Sequence, residues 1–273
     1  MDQASTLRTM AELALESPAK ELQSQGVRVI AVTSGKGGVG KTNVVANLGL
    51  ALQRMNRRVG ILDADLGLAN MDILLGLKAR YNIHHLLRGE RPLAEVLVKG
   101  PGGVTILPAG SGVAALTGLE EDQWRIVYRE MAQMGRGLDV LLIDTAAGIS
   151  GNVVHFLRVA EEVILVVSPE PTSIVDAYAV MKVMSLEYGV REFRLLVNLV
   201  RSAEEARDVF HQLCRVSDQF LQIDIIFQGF VYRDEWVGKA VRRHQAVLEA
   251  FPRARASRSF EEVARRLLTR GRL

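Results

Sequence analysis

The residues best suited to chemistry begin with Gly35-Lys36-Gly37-Gly38-Val39-Gly40-Lys41-Thr42, with Asn43 next in line. An apolar, β-branched run at 27–33 precedes this segment and a helix-like stretch at 42–55 follows it. That is the strand–loop–helix setting in which G-x-x-x-x-G-K-[ST] binds phosphates. Glycines let successive backbone N–H groups converge on phosphate oxygens, and the helix start adds the positive end of its dipole. Lys41 suits the β- and γ-phosphates, and the Thr42 hydroxyl suits a Mg²⁺ shell. The spacing therefore predicts a nucleoside triphosphate with Mg²⁺, and residues 35–43 as the binding loop. A glycine-rich turn alone would leave Lys41 and Thr42 unexplained.

Three aspartates complete the constellation. Asp63 ends the apolar run 59–63, and Asp65 lies two residues on, so both carboxylates can project toward a nucleotide's open edge. An aspartate pair after a strand also fits a helix-capping turn. Asp144 ends the run 140–144, and apolar residues leading into an aspartate fit a strand whose carboxylate holds metal-bound water.

These groups need a scaffold. Strand-like runs fall at 27–33, 59–63, 105–108, 140–144, 163–168, 193–200 and 223–227, several of them apolar at nearly every position. Such strands are covered on both faces. Helix-like segments at 42–55, 120–134, 173–188 and 203–220 alternate with them. The expectation is an α/β fold: a doubly wound, mostly parallel sheet with right-handed crossovers and helices on both faces.

Lys36 adds a second lysine inside the loop, and K-G-G-V-G-K-T resembles the deviant phosphate loop of the ParA/MinD family of ATPases. The resemblance implies slow ATP hydrolysis in a homodimer formed around ATP, with Lys36 reaching the partner's nucleotide. It implies catalytic roles for Lys36, Lys41 and Asp65, the last orienting the attacking water, and metal contacts from Thr42, Asp63 and Asp144. Asp144-Thr145-Ala146-Ala147-Gly148 is similar to the family's second switch, with Ala146 where many relatives have proline. Asn198 resembles the asparagine that meets the adenine edge, with the segment after Phe227, around Gly229 to Arg233, as a further base contact. Pro169-Glu170-Pro171-Thr172-Ser173, with Asp176, resembles the segment that touches the opposite subunit's ribose; Glu170 and Asp176 serve equally well as helix caps.

The chain has 273 residues, 48% of them hydrophobic and 24% charged, which excludes a disordered or collagen-like chain. A lone cysteine, Cys214, excludes a disulfide framework and reads as a small core residue. No apolar run is long enough to cross a bilayer, and Asp2 sits where a signal peptide wants positive charge. His84 and His85 are adjacent without acidic partners and read as surface residues; Trp124 and Trp236 fit either a core or a partner contact.

The net charge of +3 conceals a polarity. Residues 242–273 hold nine arginines and three glutamates, a net of +6, so the rest of the chain is −3. Within that tail, Ser259 and Glu262 are spaced as a capping box. Phe260, Val263, Ala264, Leu267 and Leu268 follow helical spacing, with Arg265, Arg266 and Arg270 at their flanks. This reads as a basic amphipathic helix for an anionic membrane surface through 259–272, or as a final helix docked on the core. DNA is disfavoured, because a purely phosphate-binding helix needs no regular apolar stripe. At the other end, Asp2-Gln3-Ala4-Ser5-Thr6-Leu7-Arg8 resembles the D-Q-A-x-x-L-R segment of the MinD-like ATPases that control flagellar number and placement. It implies activation of an FlhF-type GTPase through residues 2–8, with flagellar switch proteins or a flagellar transcription regulator as further partners. The organisation expected is an arm at 1–24, an ATPase domain at 25–250 and a membrane-targeting helix at 251–273, in a cytoplasmic protein that associates peripherally with the inner membrane. A division-site MinD, a DNA-partitioning ParA and a module that holds ATP without hydrolysing it are the alternatives.

Overall fold

The computed structural model describes residues 21–22, 24–66, 70–110 and 118–269. Its frame is one eight-stranded sheet in the order β3-β4-β2-β5-β1-β6-β7-β8. The strands are β1 (Arg28–Thr33), β2 (Val59–Ala64), β3 (Val98–Lys99), β4 (Thr105–Leu107), β5 (Val140–Thr145), β6 (Glu162–Val167), β7 (Glu192–Val200) and β8 (Asp224–Tyr232). All pair in parallel except β3 against β4. The four central strands are buried along almost their whole length, because helices cover both faces.

On one face lie α1 (Lys41–Arg54) and the C-terminal helix α7 (Arg255–Thr269); on the other lie α2 (Glu121–Gly135), α3 (Gly151–Val159), α4 (Pro171–Tyr188) and α5 (Ala203–Phe220). A further helix, α6 (Glu235–Val241), follows β8. All seven expected strands and four expected helices are present. The sequence reading missed α3, α6 and the two-residue β3, and ended β8 at Phe227, five residues short.

Trp124 belongs to the core, stacked on His155 with centroids 4.2 Å apart, whereas Trp236 is partly exposed on α6. The His85 side chain closes a capping box with Asn82 at the start of the short helix Ile83–Leu87. Cys214 is half-buried rather than core, and burial pushes its thiol pKa up.

In this structure the C-terminal helix takes the second of its two readings, docked on the core. Phe260, Val263, Ala264 and Leu267 are buried in the same core as α1, so the stripe offered to lipid is covered by the protein itself. The helix starts four residues before Ser259, whose hydroxyl donates to the Arg255 carbonyl at 3.1 Å; the expected capping box does not form. Three more hydrogen bonds pin the helix: Ala256 N–H to Asp234 Oδ2, Gln228 Nε2 to the Val263 carbonyl, and Arg28 Nη1 to the Leu267 carbonyl. Through these contacts the segment expected to stand apart from residue 251 onward packs on the body as far as Thr269. Residues 2–8, 67–69, Arg270 and Arg272 lie outside the described residues. No helix among the described residues is long and apolar enough to cross a membrane.

If the stripe is core, Phe260→Ala should lower folding stability by about 3–5 kcal/mol in urea denaturation. A loss under about 0.5 kcal/mol would mean that the helix is free of the body.

Candidate functional site

The phosphate loop joins β1 to α1 at the carboxyl end of the sheet, and its glycines are there for two different reasons. A Cβ on Gly35 would lie 2.2 Å from the Asp176 carbonyl carbon and oxygen, so only glycine lets the first turns of α4 reach the loop. Gly40, which precedes α1, has φ +90°, a left-handed conformation that other residues rarely adopt.

Asn198, at the end of β7, braces the loop from the side. Its Nδ2 donates to the Val39 carbonyl at 2.8 Å, and its Oδ1 accepts from the Leu199 N–H at 2.9 Å. Leu199 has φ +63°, strain that buys the asparagine its orientation. The adenine contact inferred for Asn198 therefore shares the side chain with a structural task. The neighbouring segment expected to contact the base, Gly229 to Arg233, lies mostly in strand β8, which ends at Tyr232. The second switch is tied in as well: the Gly148 N–H donates to the Ser34 carbonyl at 2.8 Å.

Beneath the loop the charges are buried. Asp63 and Asp144 are register partners on β2 and β5, each about 1% exposed. Burial first, and then its neighbour Asp144, hold the Asp63 carboxyl well above the usual range, although it accepts long hydrogen bonds from the Met71 and Asp65 N–H groups. Burial likewise pushes Asp144 up to about 7, offset in part by the Thr42 hydroxyl and the Lys41 ammonium. Neither oxygen of Asp144 completes a hydrogen bond of good geometry; Thr42 lies near enough to favour the charged form without closing one. Lys41 is almost buried, and desolvation lowers its pKa against the pull of Asp144 and Asp65. Asp65 is half-buried and near enough to act on Lys41, Asp63 and Asp144 alike.

Orphaned carboxylate oxygens beside a hydroxyl are a hard, all-oxygen donor set. They fit Mg²⁺, which takes one or two carboxylates and completes its shell with phosphates and water. Thr42, Asp63 and Asp144 are the residues that could hold it.

Lys36 is engaged elsewhere. Its Nζ donates to Glu170 Oε2 and to Thr172 Oγ1, both at 2.8 Å, on the exposed rim where α4 begins. That ammonium holds the Glu170 carboxyl below its ordinary pKa. The sequence reading named Lys36 and Glu170 separately. Their pairing spans 134 residues, and no local signal announces it.

A strand, a glycine loop and a buried lysine beside a half-buried threonine, above two acidic strand ends, define a P-loop nucleoside triphosphatase. A family model described as "ParA: NUBPL iron-transfer P-loop NTPase" matches residues 26–268, through the docked C-terminal helix. The chain is 48% identical over 241 residues to the antiactivator FleN of Pseudomonas aeruginosa, covering 88% of this chain and 86% of that one. It is 31% identical over 271 residues to the flagellum site-determining protein YlxH of Helicobacter pylori, covering 98% and 91%. Among solved structures, the MinD cell division protein of Aquifex aeolicus superposes with a TM-score of 0.72 at 27% identity, over 90% of this chain and 99% of that one. The chain belongs to the ParA/MinD family of P-loop NTPases, and it is an ATPase.

Proposed function

We propose that this ATPase is a dimerising switch that regulates flagellar number and placement. The position of Lys36 carries the reading. A lysine inside a phosphate loop would ordinarily serve its own nucleotide, yet this one sits at the rim, paired with Glu170 and Thr172. Such a group is available to the phosphates of a second copy once those two contacts are exchanged. The flagellar assignment rests on the similarity to FleN and YlxH, the latter over nearly the whole chain, and on the D-Q-A-x-x-L-R likeness at residues 2–8. A relative named an antiactivator favours a flagellar transcription regulator among the partners, and the arm 1–24 is the proposed activator of an FlhF-type GTPase. The division-site reading has less support: the putative MinD proteins of Guillardia theta and Oltmannsiellopsis viridis are 34% and 33% identical over 247 and 262 residues, against 48% for FleN.

In the proposed cycle the loop N–H groups and Lys41 bind the phosphates. Asn198 keeps one N–H that its bond to Val39 does not use, and offers it to adenine. Mg²⁺, when bound, neutralises phosphate charge beside Thr42, Asp63 and Asp144. Asp65 orients the attacking water, and Lys36 of each copy stabilises charge on the other's phosphates. The motifs supply no arginine finger, so turnover is slow. Gly148, bonded to Ser34, lets the second switch follow the state of the loop. Attachment to an anionic membrane through α7 would require its buried stripe to leave the core.

Light scattering with ATP and Mg²⁺ should give a dimer for the native chain and a monomer for Lys36→Ala, with ATP binding retained. A Lys36→Ala variant that dimerises as the native chain does would remove the trans role of Lys36. For the partner, a peptide of residues 1–20 should stimulate GTP turnover by the FlhF-type GTPase several-fold. Turnover unchanged by the peptide would end the arm assignment.

A further inference from the structure

A second basic feature lies away from the nucleotide loop. β8 is the outer strand of the sheet, three strands from β1 and so about 14 Å from it across the sheet. Between β8 and α7 runs a cleft of about 320 Å³. One wall is a single face of α7 bearing Arg255, Arg258, Glu262 and Arg266; the other is Phe230 and Tyr232 of the edge strand.

The charges in this cleft are unbalanced. Three guanidinium groups face one carboxylate, and Glu262 already pairs with Arg265 outside the cleft as well as with Arg266. Arg255 and Arg258 have no carboxylate partner among the described residues. Arg255 Cζ lies 4.0 Å from the centroid of the Tyr232 ring, a cation–π contact that fixes where its guanidinium sits. Gly229 keeps the floor open, since a Cβ there would stand 3.1 Å from Val263 Cγ2 and 3.7 Å from Arg266 Nη1. The helix that carries the arginines is fixed by its buried stripe and by the Gln228 and Arg28 bonds, so their spacing is preorganised.

We propose that this cleft binds a phosphate group. Guanidinium forks fit the tetrahedral oxygens of a phosphate with paired N–H donors, and bringing them together without an anion costs like-charge repulsion. A solvated arginine face would need neither an aromatic wall nor a glycine floor. An anionic lipid headgroup and a free phosphorylated small molecule share this chemistry. The +6 of the C-terminal region then acts through arginines beside an edge strand, while the apolar stripe stays in the core.

The test uses the full chain saturated with ADP and Mg²⁺, so that the phosphate loop is filled. Two probes are applied at constant ionic strength: inorganic phosphate, read as a rise in Tm, and phosphatidylglycerol against phosphatidylcholine vesicles, read by co-sedimentation. A response to inorganic phosphate supports the site with a soluble ligand; a response to phosphatidylglycerol alone supports it with a headgroup. In either case Arg255→Gln/Arg258→Gln should weaken the response at least about five-fold while ADP affinity holds. Glu262→Gln, which removes the cleft's carboxylate, should strengthen it roughly three-fold, a gain that misfolding cannot mimic. The proposal is overturned if neither probe binds. It is also overturned if the double variant responds as the native chain does, or, should that variant fail to fold, if Glu262→Gln gains nothing.

Discussion

Two aspartates that the sheet forces side by side govern the rest of this structure. Parallel pairing of β2 with β5 puts Asp63 opposite Asp144, both sealed from water at the carboxyl ends of their strands. Removing two like charges from solvent costs several kcal/mol per ion unless a cation compensates them. Lys41 supplies part of that compensation and is itself desolvated in doing so. The remaining demand accounts for the raised carboxyl pKa values and for the unfilled oxygens of Asp144. The sign of the linkage follows. A carboxyl whose folded pKa is about 7, against an ordinary 3.8, keeps a proton that the unfolded chain has released. Its contribution to the stability of the ligand-free fold is therefore complete below about pH 4 and is lost as pH rises toward 7. A divalent cation held by Thr42, Asp63 and Asp144 would offset that loss and so couple nucleotide binding to the stability of the fold.

That control reaches outward through short, fixed contacts. Gly35 admits the α4 backbone, Asn198 holds Val39, and Ser34 holds Gly148, so the loop, the base-side strand and the second switch share one framework. Lys36 stands at the edge of the framework in an exposed ion pair, and exposed pairs are worth little and exchange readily. In the proposed dimer this is the contact that gives way, since a partner's phosphate offers more charge than Glu170 does.

The parts of the molecule made by local pattern were legible in the sequence. The phosphate loop, the central strands and the flanking helices announce themselves through spacing and periodicity, and Asp63 and Asp144 through apolar runs that end in acid. What was not legible depends on distant surfaces. The α7 stripe has the same period whether it meets lipid or a core, and only the packing of Phe260 and Leu267 beside α1 decides between them. The strand β8 continues past Phe227 because a register shift at Gly229 lets it keep pairing with β7, which no propensity reveals. The Lys36–Glu170 pair and the left-handed Leu199 belong to the folded site alone.

A divalent cation bound at the Asp63–Asp144 pair would take the place of a proton held there. Calorimetry of Mg²⁺–nucleotide binding in buffers of different ionisation enthalpy counts the protons released. At about pH 6, where a carboxyl of pKa about 7 is largely protonated, the native chain should release up to about one proton more than Asp144→Asn. Equal proton release from the two proteins, with nucleotide bound by both, would contradict that exchange.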